Sequence, residues 1–262
     1  GSVQSKVAQD LVATLRDNRP GYDSQVTGMA AYLVDFKHQI ASRLPFALGL
    51  IALVTFVLLF LMTGSVLVPL KALVMNTVSL GATFGALVWV FQDGHLSGLL
   101  GFESYGTIEL WVPVVVFVFA FGLSMDYEVF LLSRIKECYD ETKDSGRAVA
   151  VGLQRSGRII TSAAALVIIV FLGFAAGKSL GIKEMGLALA IAVAVDATIV
   201  RCLLVPATMT LLGTANWWAP GPLRRLHDRL GWSEAPRVID LTDGESRDPA
   251  VARGVREGAA GR

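Results

Sequence analysis

The sequence predicts an all-α membrane protein, a bundle of five transmembrane helices preceded by the end of an outer α/β domain. Three observations predict it. Of the 262 residues 53% are hydrophobic and only 17% charged, where a soluble domain carries about 25% charged residues. Apart from Lys71, no charged side chain occurs between Leu44 and Gln92, and Ile159 to Gly177 is another uncharged run. Runs near or above ~18 apolar residues read as bilayer spans. This balance excludes an ordinary soluble enzyme. With a net charge of +1 and the basic residues at the ends of apolar runs, nothing points to nucleic acid. Cys138, placed in a polar loop, and Cys202, placed in a span, are expected to lie beyond disulfide reach, so no redox or metal framework is read. The opening residues are polar and precede the first apolar run, which is not the layout of a cleavable signal peptide.

Residues 1–43 read as the end of an extracytoplasmic domain. Val7, Leu11 and Leu15 repeat every four residues, Asn18 to Gly21 supplies breakers, Gln25 to Thr27 is extended, and Met29 to Ser42 resumes helical spacing. A piece this small cannot bury its own core, so it is expected to be the tail of a larger domain lying upstream, with the chain one half of a split protein or a fragment. Residues 44–213 form the membrane domain. At ~1.5 Å rise per residue a bilayer needs about 20 residues, and the spans are Phe46 to Met62, Leu70 to Phe91, Leu110 to Ser133, Ile159 to Ala176 and Met185 to Leu212. Thr63 to Ser65 is a turn, Gln92 to Glu109 a polar loop, and Arg134 to Arg158 a longer charged loop. Residues 214–262 form a cytoplasmic tail with an amphipathic basic piece from Leu223 to Leu230, expected to be largely disordered after 233.

Lysine and arginine set the orientation. Arg134, Lys136, Lys143, Arg147, Arg155 and Arg158 crowd one loop, and Arg224, Arg225 and Arg229 follow the last span, whereas Gln92 to Glu109 holds none. The basic regions are therefore expected inside and the opening segment outside, with Lys178 and Lys183 opposing weakly. Trp89, Trp111, Trp217 and Trp218 sit where interfacial aromatics belong.

The third span, WVPVVVFVFAFGLSMDYEVFLLSR, carries Asp126, Tyr127 and Glu128. A carboxylate at mid-bilayer costs several kcal/mol unless it is protonated, paired or wetted. Asp126 lies roughly 12 Å along the helix from Arg134 and about 22 Å from the outer start, inside the hydrocarbon. Burial disfavours its charged form, so a modest change in water access loads or releases a proton, the chemistry of a relay. The alternative is an aspartate that only ties helices together. Glu128, ~200° around the helix, is expected to face water or another neighbour. The fifth span adds Asp196 at a depth close to that of Asp126, so both carboxylates are expected to line one polar seam. Arg201, ~140° from Asp196 on an α-helix, is expected to snorkel or to pair with another helix; a purely structural charge pair competes with a relay role. The supporting polar residues are Ser124, Glu128 and Arg201. Gly81/Gly85 and Gly173/Gly177 are small-xxx-small motifs read as helix packing. GFAAGKS at Gly173 to Ser179 is one residue short of a phosphate loop and follows no strand, so nucleotide binding is rejected. Asn76, Thr77, Ser79 and Thr83 read as helix contacts.

GLSMDYEVFLLSR (Gly122 to Arg134), SGRIITSAAAL (Ser156 to Leu166) and VDATIVRCLLVPATMTLLGTANWWAP (Val195 to Pro220) resemble the MmpL family of the resistance-nodulation-division (RND) superfamily, in the same order and spacing over roughly Val3 to Leu230. The resemblance implies a twelve-span bacterial inner-membrane exporter of two similar halves, each with a porter-type outer domain inserted after its first span. It implies proton-driven outward movement of lipids, siderophores or other hydrophobic compounds, with no cofactor beyond the coupling proton. This chain resembles the second half only, without that half's first span and most of its outer domain. Its implied partners are membrane lipids, a hydrophobic or lipid substrate, the N-terminal half and a possible oligomer, and Asp126-Tyr127 would face an Asp-Tyr pair of the first half, with Asp196 as a further relay residue. Among rivals, an intramembrane aspartyl protease has tyrosine before one aspartate and Gly-x-Gly before the other; here Tyr127 follows Asp126 and Ala194-Val195 precedes Asp196. A rhomboid-type protease using Ser124 needs a membrane histidine, and His38, His95 and His227 lie outside the predicted spans. A lipid- or sterol-sensing module without transport is the remaining alternative.

Overall fold

The computed structural model describes residues 5–18 and 24–230. Helix α1 (Lys6–Asp17) starts at Ser5, whose hydroxyl accepts from the Ala8 amide at 3.3 Å, an N-cap that satisfies an otherwise orphaned donor. It docks on the beginning of α2 (Met29–Thr63) through a two-pronged ion pair, Arg16 to Asp35 at 2.5 and 2.8 Å. The expected extended stretch Gln25 to Thr27 has no regular structure, and no strand occurs among the described residues. A single extended segment without a neighbouring strand has no ladder to join. Nor does the chain pause where the outer segment was expected to end: α2 runs without interruption from Met29 through Pro45 to Thr63.

Among the described residues five helices are long and apolar enough to cross a membrane: Met29–Thr63, Leu67–Gln92, Val112–Thr142, Ser145–Ala175 and Leu180–Trp217. They comprise α2, α3 (Leu67–Leu87, extended by a wide turn Val88–Gln92), α5 (Val112–Thr142), α6 (Ser145–Ala175), and α7 (Leu180–Val195) with its continuation. The short helix α4 (Ser97–Leu100) interrupts the loop before α5. The continuation of α7 is a π-helical stretch, Asp196–Leu204, then α8 (Val205–Leu212) and a last 3₁₀ turn, Gly213–Trp217. Helix α9 (Gly221–Leu230) follows, and the disorder expected after 233 falls outside the described residues.

The turns are chemically specified. Gly64 takes the left-handed conformation (φ 67°) that ends α2, and the Ser65 hydroxyl accepts from the amides of Leu67 and Val68 while donating to the Asn216 carbonyl. The connection expected as a long charged loop, Arg134 to Arg158, is instead a helical hairpin: α5 continues to Thr142, and Asp144 caps α6 by accepting from the Arg147 amide at 3.1 Å. Charged side chains on the exposed faces of two helices read as loop when only hydropathy is followed. Cys138, expected in that loop, is buried on α5, and it and the exposed Cys202 are both free.

Among the described residues three apolar clusters fill the bundle. One, near the α5–α6 turn, joins Leu59, Val68, Ala72, Leu131, Ile135, Val200 and Met209; another, near the opposite end, joins Leu87, Phe91, Val116, Ala188 and Leu189; the smallest joins Ala164, Val193 and Ala197. The close approaches between helices do not use the expected motifs. A Cβ on Gly81, Gly85 or Gly173 would meet nothing within 4 Å, whereas one on Gly186 would stand 2.6 Å from the Ala175 nitrogen, and one on Gly152 2.5 Å from a side-chain carbon of Ile135.

Candidate functional site

The site is built where α3, α5 and the π-helical stretch meet. In an α-helix Asp196 and Arg201 diverge by ~140°; the π-helix hydrogen-bonds i to i+5 and so brings residues five apart together. Arg201 Nε donates to Asp196 Oδ2 at 2.6 Å, both side chains buried, and Cys202 reaches back to the Ala197 carbonyl over the same interval. The pair that α-helical geometry did not favour is thus made by a local change of helix type, and the expected partnership with another helix is made as well. Arg201 also contacts α5: its Nη2 donates to the Ser124 carbonyl and, at 3.3 Å, to the Ser124 hydroxyl. That hydroxyl donates to Asp196 Oδ1 at 2.7 Å. The Arg201 guanidinium lies 5.5 Å over the Tyr127 ring, a cation–π contact that is strengthened out of water.

Glu128 takes the second of its two expected places, against other helices, whereas Asp126 does not line the expected seam. Glu128 is 2% exposed, inside the bundle one turn from Ser124 on the same face, while Asp126 is exposed on the outside of α5. Asp126 and Asp196 therefore do not share one seam within this chain; Tyr127, half-buried, stands between them and lines a narrow cleft with Leu123, Ser124, Val193 and Asp196. Glu128 faces the charges of Arg201, Lys71 and Asp196. Lys71 Nζ, Glu128 Oε1, Arg201 Nη1 and both polar atoms of the Asn76 side chain are buried without a hydrogen-bond partner. Ser79 and Thr83 are buried as well, Thr77 exposed.

Lys71 is not among the residues expected at the site, although its signal is in the sequence: a lone charge in an otherwise uncharged stretch is a functional candidate by default. A second polar anchor was also not read. At the far end of the bundle Glu184 is fully buried and accepts from the Glu109 amide at 3.0 Å, and Lys183, 8% exposed, donates to the Leu100 carbonyl at 2.5 Å. Both tie the loop before α5 to the start of α7.

A profile of the MMPL family matches residues 2–241. The chain belongs to the MMPL family. It is 50% identical over 234 residues to a membrane protein of Streptomyces coelicolor, covering 89% of this chain and 33% of that one. It is 38% identical over 246 residues to the mycolic acid-containing lipids exporter MmpL11 of Mycolicibacterium smegmatis (92% and 26%), and 39% identical over 263 residues to the trehalose monomycolate exporter MmpL3 of Mycobacterium tuberculosis (97% and 28%). The chain thus spans between a quarter and a third of the length of these relatives. Family and helices together make it a multi-pass membrane protein.

Proposed function

We propose that the chain is the C-terminal half of a proton-driven inner-membrane exporter of lipids or other hydrophobic compounds. A transport role, rather than a catalytic one, fits a chain whose relatives are named as lipid exporters. The observation that carries the reading is Asp126: a carboxylate midway along a membrane helix, on the outside of the bundle, next to a tyrosine that backs onto the buried Arg201–Asp196–Ser124 network. A charge facing lipid at that depth is costly, and an N-terminal half laid over this face removes the cost.

In this reading Asp126 takes and releases the coupling proton, the only cofactor. Tyr127, next to it, has its ring under Arg201, and Asp196, which holds Arg201 and lines one cleft with Tyr127, is the next relay residue inward. The outward orientation of α1, and its membership in a porter-type α/β domain, are part of the same proposal; the exposed apolar Val7, Leu11 and Leu15, at 79, 57 and 49%, supply a face for that domain to cover.

The test is the transporter assembled from this chain and its N-terminal half, reconstituted with a proton gradient. Asp126→Asn keeps shape and fixes neutrality, so export and proton uptake are expected to cease while expression and melting stay as in the wild type. Tyr127→Phe is expected to weaken coupling by removing the hydroxyl available to the facing half, a loss of about 0.5–1.5 kcal/mol for one hydrogen bond. Wild-type export by a folded Asp126→Asn protein removes the carrier role.

A further inference from the structure

Glu128 is buried near the Asp196–Arg201 pair and Lys71 near Glu128, and neither has a task in the relay as described. Glu128 is 2% and Lys71 8% exposed. Glu128 Oε1, Lys71 Nζ and Arg201 Nη1 lack hydrogen-bond partners, although Glu128 and Lys71 interact electrostatically with each other. A fixed structural ion pair in a bundle interior closes its hydrogen bonds; groups that are buried, facing and unclosed are arranged for a state in which a proton or water stands between them.

The positions form a ladder. Ser124, which hydrogen-bonds Asp196, and Glu128 lie one turn apart on one face of α5, ~6 Å along its axis. Lys71 stands beside Ala72, which belongs to the apolar cluster at the α5–α6 end with Leu131 and Val200. With the basic end of the bundle inside, the order toward the cytoplasm is Asp196 and Ser124, then Glu128 and Arg201, then Lys71.

We infer that Glu128 is the inward continuation of the relay: a proton reaching Asp196 passes along the Ser124 face to Glu128, and from there toward the cytoplasm, with Lys71 as the cation that Glu128 faces when it is ionised. The O–H bond on Asp196 breaks and one forms on Glu128; the Ser124 hydroxyl gives its own proton and receives the other, and Lys71 and Arg201 keep theirs. The titratable and charged groups around Glu128 are Lys71 from α3, Asp196 and Arg201 from the π-helical stretch, and Asp126 and Tyr127 from its own helix.

This rests on the proposed transport function, and the experiment separates the two. In the assembled transporter, Glu128→Gln is expected to lower coupled proton uptake and export by about 100-fold, the low end for a positioned proton-transferring side chain, and Glu128→Asp to keep activity with a shifted pH profile. Lys71→Met is expected to lower expression by leaving buried Glu128 with Arg201, already engaged by Asp196, as its remaining cation. The double variant Lys71→Met/Glu128→Gln, neutral at both places, is expected to recover wild-type expression and melting while remaining inactive. Recovery of transport by the double variant makes the pair structural and overturns the inference. Wild-type transport by folded Glu128→Gln, with Asp126→Asn inactive, overturns it and leaves the proposed function standing; wild-type transport by both overturns the function as well. Independently of transport, infrared spectra of this chain in lipid nanodiscs are expected to show a protonated-carboxyl band that titrates with pH and is absent in Glu128→Gln; a band unchanged in that variant counts against the assignment.

Discussion

Arg201 is held by three contacts of different kinds: the Asp196 carboxylate, the Ser124 carbonyl and the Tyr127 ring. Removing it leaves a buried aspartate with only a serine hydroxyl, and breaking a buried pair by deleting one partner costs about 3–5 kcal/mol. Arg201→Met is therefore expected to lower the melting temperature of the purified chain steeply, and adding Asp196→Asn to recover most of the loss. Arg201→Lys is expected to recover little, because one compact ammonium cannot reproduce a planar fork that reaches the carboxylate and the serine carbonyl together. Detergent-solubilised melting curves of the four proteins check this; a single variant as stable as the wild type contradicts the geometry. At this scale the sequence was half legible. Unusual charges in apolar helices named Asp126, Asp196, Arg201 and Glu128, because burying charge is rare enough to be informative. Which of Asp126 and Glu128 turns inward was not legible, since a membrane helix is apolar toward lipid and core alike, and α5 offers no polar side against which to set its rotation.

Among the elements, hydropathy found the five spans because length and apolarity are imposed by the bilayer itself. It lost the ends of α5 and α6, whose charged outer turns remain helical past the apolar run, and it could not foresee the π-helical stretch, which depends on one residue too many per turn and not on any residue type. Close packing was misplaced for a related reason. Small-xxx-small motifs are frequent in membrane helices, and spacing alone does not say whether a neighbour is present. Gly186 decides the α6–α7 contact, where an added Cβ meets backbone atoms of Phe171 and Ala175 at 2.6 Å. Backbone cannot step aside as a side-chain tip can. Gly186→Val is expected to destabilise the chain by about 1–3 kcal/mol or more through overpacking, while Gly173→Ala, facing open space, is expected to leave the melting temperature within experimental scatter.

For the whole molecule the orientation in the membrane is proposed from where positive charge gathers at the surface, paired with nearby carboxylates or not. Around the α5–α6 turn Arg134, Lys136, Lys143, Arg147, Arg155 and Arg158 gather, and α9 adds Arg224, Arg225 and Arg229 beside the same end through His227, which packs on Gly64 of the α2–α3 turn. At the other end Lys178 is exposed, but Lys183, which the sequence counted against the trend, is 8% exposed and spends its ammonium on the carbonyls of Leu100 and Gly101. Burial of Lys183 removes one charge that opposed the trend, and on the positive-inside rule we propose that the α5–α6 turn is cytoplasmic and the α4 loop outside. In a background with Cys138→Ala and Cys202→Ala, single cysteines at the exposed positions Glu103 and Glu141 report the two ends. Glu103→Cys is expected to react with a membrane-impermeant maleimide on intact cells, and Glu141→Cys only after permeabilisation. The reverse pattern inverts the orientation, and with it the inward direction assigned to the path from Asp196 through Glu128 to Lys71.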